Sequence, residues 1–120
     1  MEAVAKVKNL RGSARKARLV LDLIRGKDVP SAQRILLFSK KSVAPKIAKL
    51  LNSAIANATM KEGKTDIENM IVNEVYADDG PIMKRQRPRA QGRATVIRRR
   101  TCHITLRIKD IQEESNGSEN

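Results

Sequence analysis

Residues 80–100 read GPIMKRQRPRAQGRATVIRRR, and they stand between two strand-like runs, MIVNEVYA at 70–77 and CHITLRIK at 102–109. In the later run Cys102, Ile104, Leu106 and Ile108 alternate with His103, Thr105, Arg107 and Lys109. That is the period-two pattern of a half-buried strand. In the earlier run Met70, Val72 and Tyr76 are expected on one face, with Ile71, Val75 and Ala77 on the other. The connection is too long for a tight turn, and a structureless loop of that length is rare inside a domain unless it has a function. The alternative is a hairpin whose arms extend beyond the core. Some ten residues per arm, at about 3.3 Å each, reach roughly 30 Å. Two strands alone are marginal in water, so rigidity would come from a partner that surrounds them.

Charge singles out the same stretch. From Gly80 to Lys109 the basic residues are Lys84, Arg85, Arg87, Arg89, Arg93, Arg98, Arg99, Arg100, Arg107 and Lys109, with no acidic residue among them. These ten charges compare with a net +12 for all 120 residues. Self-repulsion of that size points to a polyanionic partner. Arginine outnumbers lysine eight to two in the span. Its planar fork of donors suits phosphate, and it stacks on bases, a bias that fits structured RNA. A basic run alone is a weak signal, because it also describes a solvated face or a localisation signal. Its place between two strands favours a structured insertion. The absence of aromatics from the span disfavours a stacking platform for single strands.

The remaining sequence supplies a single domain with an aliphatic core, since the chain holds one Phe, one Tyr and no Trp. Ala3, Ala5 and Val7 alternate as a short first strand, followed by a turn at Arg11-Gly12. Ser13 caps a helix that runs to Arg25 and stops at Gly26, with Ala17, Val20, Leu21 and Ile24 as its buried stripe. Arg15, Lys16 and Arg18 sit near the positive end of its dipole, where each cation is unfavourable by about 0.3–1 kcal/mol. A phosphate beside that turn removes the conflict; a merely solvated basic face is the alternative. Val29-Pro30 starts a second helix, with Ala32, Ile35 and Leu36 inward and Phe38 as a further candidate. Ser39-Lys40-Lys41-Ser42 reads as a connection. A third helix runs from near Ser42 to before Gly63, with Pro45 in its first turn and a stripe of Ala44, Ile47, Leu51, Ala54, Ile55 and Ala58. Residues 1–110 form the domain, with 79–101 as its arm. From Gln112 the polar, acidic tail is expected to be disordered.

Other classes find little support. No apolar run of eighteen or more residues is present, so no membrane span is expected. The chain opens Met1-Glu2-Ala3 and passes directly into patterned sequence, which argues against a leader. A lone cysteine excludes an internal disulfide or a cysteine-based zinc cluster and fits a reduced intracellular protein. Cys102 and His103 point to opposite faces of their strand and cannot form a dyad. There is no second histidine, and Asp78-Asp79 reads as a strand end. No catalytic constellation, cofactor or small-molecule substrate is expected. A free DNA-binding protein is the competing class, without visible helix-turn-helix spacing.

The stretch from Gly80 to Ala94 resembles the signature of bacterial large-subunit ribosomal protein 22. The likeness continues through Ile97, Arg99-Arg100-Thr101 and His103-Ile104-Thr105. It includes Ser13 to Val20, Ile24 to Lys27 and Ser53 to Ala58, and covers Glu2 to Lys109. Cys102 stands where that family usually has Ser, a small substitution on the buried side. Gln86, Arg87 and Gln91 fall at variable positions. The resemblance implies an α+β domain: three helices packed on a small three-stranded antiparallel sheet, with a long projecting β-hairpin. It implies a cytoplasmic, non-enzymatic constituent of the large ribosomal subunit, bound to ribosomal RNA and supporting its assembly. The hairpin tip would line the polypeptide exit tunnel at its constriction, beside ribosomal protein 4 and the passing nascent chain. Met83, Lys84, Arg85, Arg89, Ala90 and Arg93 would lie near that tip. The expected RNA contacts are Arg11, Arg15, Lys16, Arg18 and Arg25 on the globular part. On the arm they are Lys84, Arg85, Arg87, Arg89 and Arg93, with Arg98, Arg99 and Arg100 as clamps nearer the sheet.

Overall fold

The strand expected at 102–109 is the middle of the sheet. In the computed structural model, which describes residues 2–62, 67–88, 92 and 94–110, β5 (Thr101–Asp110) lies between β1 (Glu2–Arg11) and β2 (Met70–Asp79), antiparallel to both. Its inward residues Cys102, Ile104, Leu106 and Ile108 are all buried, as the alternation requires. Three helices follow the expected order: α1 (Ala14–Ile24), α2 (Val29–Phe38) and α3 (Ala44–Glu62). α1 packs mainly on β2, α3 on β1, and α2 bridges the two helices. The core between helices and sheet is aliphatic, with Leu21, Ile24, Ile47, Leu51 and Leu106 among its largest members.

Local chemistry sets the helix boundaries. The Ser13 hydroxyl accepts from the Lys16 N–H at 3.2 Å, and Gly26 follows α1 at φ 78°. The Asp28 carboxylate accepts from the Ser31 N–H at 3.3 Å and caps α2, with Pro30 in the first turn. Phe38 corrects the sequence reading: it is 78 % exposed. At about 100° per residue, the stripe of Ala32, Ile35 and Leu36 leaves Phe38 beyond its edge.

Two bulges set the faces of the outer strands. In β2 the pairing passes from Val72 opposite Ile108 to Glu74 opposite Arg107, so Asn73 is extra. One added residue flips every later side chain. Val75 and Ala77 therefore join Met70 and Val72 in the core, and Tyr76 faces outward, contrary to the expected alternation. In β1 the ladder shifts between Val7 and Leu10, and Asn9 takes φ 58°. The Asn9 N–H donates to Nδ1 of His103 at 3.1 Å, so the imidazole satisfies the bulge.

Both sheet edges are closed by side chains. Arg18 donates from Nε and Nη2 to the Ala77 carbonyl at 3.0 and 2.8 Å, and Arg25 does the same to Val75 at 3.3 and 2.7 Å. Beyond them, Gly26 N–H donates to Val72 O, and Val72 N–H donates to Lys27 O, both at 2.9 Å. On the β1 edge, Asn57 Nδ2 donates to Val4 O at 2.8 Å and Lys61 Nζ to Glu2 O at 3.1 Å. Exposed edges invite pairing with other chains, and blocking their outward carbonyls removes that template.

The basic insertion forms its own two-stranded sheet. β3 (Met83–Pro88) pairs antiparallel with β4 (Ala94–Arg99), in register from Met83 opposite Arg99 to Pro88 opposite Ala94. Among the described residues neither strand packs substantially on a helix. Its base is tied to the main sheet by Gly80 N–H to Thr101 O (2.9 Å) and Thr101 Oγ1 to Pro81 O (2.6 Å). Arg89, Ala90, Arg93 and residues 111–120 lie outside the described residues, and the full reach of the arm rests on the first of these.

Candidate nucleic-acid interface

The corner between β1 and α1 brings two basic regions together. Gly12 turns the chain at φ 128°, a left-handed conformation that favours glycine. Its N–H donates to Arg100 O at 3.0 Å. This bond joins the start of α1 to the base of the arm. Arg11, Arg15, Lys16, Arg99 and Arg100 thereby line one groove of about 820 Å³, together with Ser13, Leu19 and Ser42. The expected separation into a helix surface and an arm surface disappears here.

The groove narrows into a pocket of about 380 Å³. The pocket shares Arg11, Lys16 and Leu19 with the groove, and adds Lys41 and Lys46 at its rim. Val43 adds apolar surface, and Ala17 and Cys102 lie behind it in the core, each 1 % exposed. Among the described residues no acidic side chain lines either space. Burial first, and the Asp79 carboxylate second, push the Cys102 thiol above its ordinary value. The thiol therefore stays protonated, as an inert core group rather than a nucleophile.

Lys41 and Lys46 were missed by the sequence reading. Ser39 to Ser42 looked like a polar connection, yet it delivers Lys41 to the same pocket as Arg11. The available signal was electrostatic. Lys46 lies in the first turn of α3, which has no acidic residue, as the first turn of α1 has none. Two helices thus place cations at their positive ends on one side of the molecule, an arrangement that an anion relieves.

The other expected residues fall elsewhere. Arg18 and Arg25 lie outside the groove and each commits two of its five N–H donors to a β2 carbonyl. Arg25 also pairs with Asp22 at 2.6 Å. Lys84 is exposed on β3 opposite Arg98. Of Met83, Arg85, Arg87 and Arg98 only the strand register is described, with Arg85 opposite Ile97 and Arg87 opposite Thr95. Among the described residues no helix is long and apolar enough to cross a membrane.

Residues 5–109 match the family described as Ribosomal protein L22p/L17e. The large ribosomal subunit protein uL22 of Leptospira biflexa serovar Patoc is 51 % identical over 114 residues, covering 95 % of this chain and 98 % of the relative. That of Macrococcus caseolyticus is 47 % identical over 119 residues, covering 99 % and 95 %. With a family match spanning nearly the whole domain and relatives at about half identity end to end, the chain belongs to the ribosomal protein L22p/L17e family.

Proposed function

We propose that the chain binds large-subunit ribosomal RNA through the groove between α1 and the base of the arm, supports assembly of the subunit, and carries its arm into the polypeptide exit tunnel. Membership of a family of structural ribosomal proteins makes it a constituent of the large subunit and not an enzyme. Its place of work is the cytoplasmic ribosome. The observation that carries the RNA reading is the acid-free groove, where Arg11, Arg15 and Lys16 meet Arg99 and Arg100. Residues 1–110 act as one RNA-binding domain, with 79–101 as the arm and 111–120 as a tail. On the resemblance, Met83, Lys84, Arg85, Arg89, Ala90 and Arg93 stand at the constriction, beside ribosomal protein 4 and the nascent chain. Arg87 and Arg98 contact RNA along the arm. Arg18 and Arg25 hold the β2 edge and offer their remaining donors to phosphate.

Titration of the chain with a large-subunit ribosomal RNA transcript tests this. With six to ten phosphates contacted, affinity falls by roughly 10³–10⁵ between 50 and 200 mM salt. Neutralising Arg99 and Arg100 together lowers the salt slope. A flat salt response, or displacement of the transcript by duplex DNA at equal concentration, would refute the reading.

A further inference from the structure

His103 is the chain's one histidine, and the RNA-binding reading gives it no contact of its own. Its ring nevertheless stands at the joint between the two walls of the groove. Nδ1 accepts the Asn9 N–H at 3.1 Å, from 94 residues away in sequence. On its other side, a Cβ on Gly80 would stand 3.2 and 3.3 Å from Cε1 and Nε2, so the ring packs against the glycine where the arm begins. The Asn9 bond matters because of what the bulge does to β1. Ala3, Ala5 and Val7 face the core, and Leu10 faces it too, opposite the buried Cys102. An unbroken strand would turn Asn9 and Arg11 inward and Leu10 out. One extra residue reverses the alternation. Arg11 is thereby exposed, and lines the groove with Arg99 and Arg100. The reversal has a conformational cost. Asn9 takes φ 58°, a left-handed conformation that residues other than glycine and asparagine rarely adopt.

We propose that His103 is a positioning residue for RNA binding: its imidazole holds the β1 bulge, and the bulge turns Arg11 into the groove. The proposal rests on the RNA-binding reading above and deepens it. Bulges recur beside functional sites because they re-aim a side chain. A sparsely populated backbone conformation persists where its surroundings hold it, and here the holding group is an acceptor on the central strand. His103 acts through Arg11 and not on phosphate itself. The same ring abuts Gly80, whose N–H donates to Thr101 O at 2.9 Å. One side chain thus relates the place of Arg11 to the base of the arm that carries Arg99 and Arg100.

Titrations of the full chain with the large-subunit transcript decide, using two substitutions that separate the parts of the imidazole. His103→Phe keeps a ring and removes the acceptor, while His103→Asn keeps an acceptor, Oδ1, near the position of Nδ1. His103→Phe is expected to lower affinity about tenfold, as for one lost charge-assisted contact. It should also lower the salt slope by about one, as Arg11→Ala does. His103→Asn is expected to restore affinity and slope. In an Arg11→Ala background His103→Phe should cost nothing further, whereas in Lys84→Ala, on the arm, its full effect should persist. A general loss of stability would add to both backgrounds alike. Asn9→Val breaks the same link from an exposed position, because a β-branched residue resists φ 58°. It should show the same loss, absorbed by Arg11→Ala, even where His103→Phe lowers the unfolding midpoint. Wild-type affinity in His103→Phe or in Asn9→Val, an equal loss in His103→Asn, or a loss that persists in Arg11→Ala overturns the positioning role and leaves the RNA reading standing. Failure of the wild-type chain to bind the transcript removes both.

Discussion

At the scale of single residues, the arginines divide between stability and recognition. A hydrogen bond to a charged donor contributes about 1.5–3 kcal/mol when shielded. The Arg25 side chain is 45 % exposed, so about 1 kcal/mol is the better figure for its bonds to Val75. Arg25→Ala is therefore expected to lower unfolding stability by about 1 kcal/mol in urea titration, and Arg25→Lys to restore only part, because one ammonium replaces a two-donor fork. Arg15→Ala, which leaves both edges intact, should change stability little and RNA affinity more. Asp28 gives a pH signature. The Ser31 hydrogen bonds hold its carboxyl below the ordinary value of 3.8. A folded-state value below the unfolded one means the cap stabilises above that ordinary value and is lost as pH falls through the folded one. Comparing unfolding midpoints between about pH 5 and pH 2, Asp28→Asn should keep the cap and lose this acid-dependent step. None of these edge bonds could be read from sequence. The stripe of α1 was legible because Ala17 to Ile24 repeat at helical spacing, whereas the targets of Arg18 and Arg25 lie more than forty residues away on β2.

At the scale of elements, the base of the arm is a packed junction. A Cβ placed on Gly80 would stand 2.5 Å from Thr101 Oγ1, the hydroxyl that donates to Pro81 O. Gly80→Ala is expected to disturb this junction, and Thr101→Ala to remove the bond without a clash. The double variant should be less damaged than the two effects added, because the second change relieves the first, which a double-mutant cycle measures directly. The arm itself is separable. Replacing residues 83–99 by a short Gly-Ser link should preserve the thermal transition, since the clamps at Gly80 and Thr101 belong to the main sheet. Loss of that transition would contradict an arm independent of the core. The order of the three helices and of the main-sheet strands was legible, and so was the buried set Cys102, Ile104, Leu106 and Ile108 of β5, but not the burial of Thr105 on its other face. The face of Tyr76 was not, because the bulge at Asn73 depends on what β5 offers opposite it. Lys41 and Lys46 stayed hidden for a similar reason: the folding of the chain brings them beside Arg11, while their spacing records nothing of it.

At the scale of the whole molecule, the central strand holds the fold together. Leu106→Ala, at a fully buried site between both neighbouring strands, should cost about 2–5 kcal/mol, a large part of the stability of a domain this size, read from denaturant midpoints. The same strand has a consequence in time. Among the described residues β5 is the last element, yet the only strand that β1 and β2 pair with is β5, and they do not pair with each other. A chain emerging from its own synthesis can form its helices within microseconds, but the sheet has no middle until Thr101 to Asp110 arrive. At about 5–20 residues per second, making the span from Gly80 to Arg100 alone takes a second or more. Through that interval both outer strands lack their common partner while the most basic part of the chain is being added. The nascent protein is thus a polycation before it is a fold, and RNA can meet it in that condition.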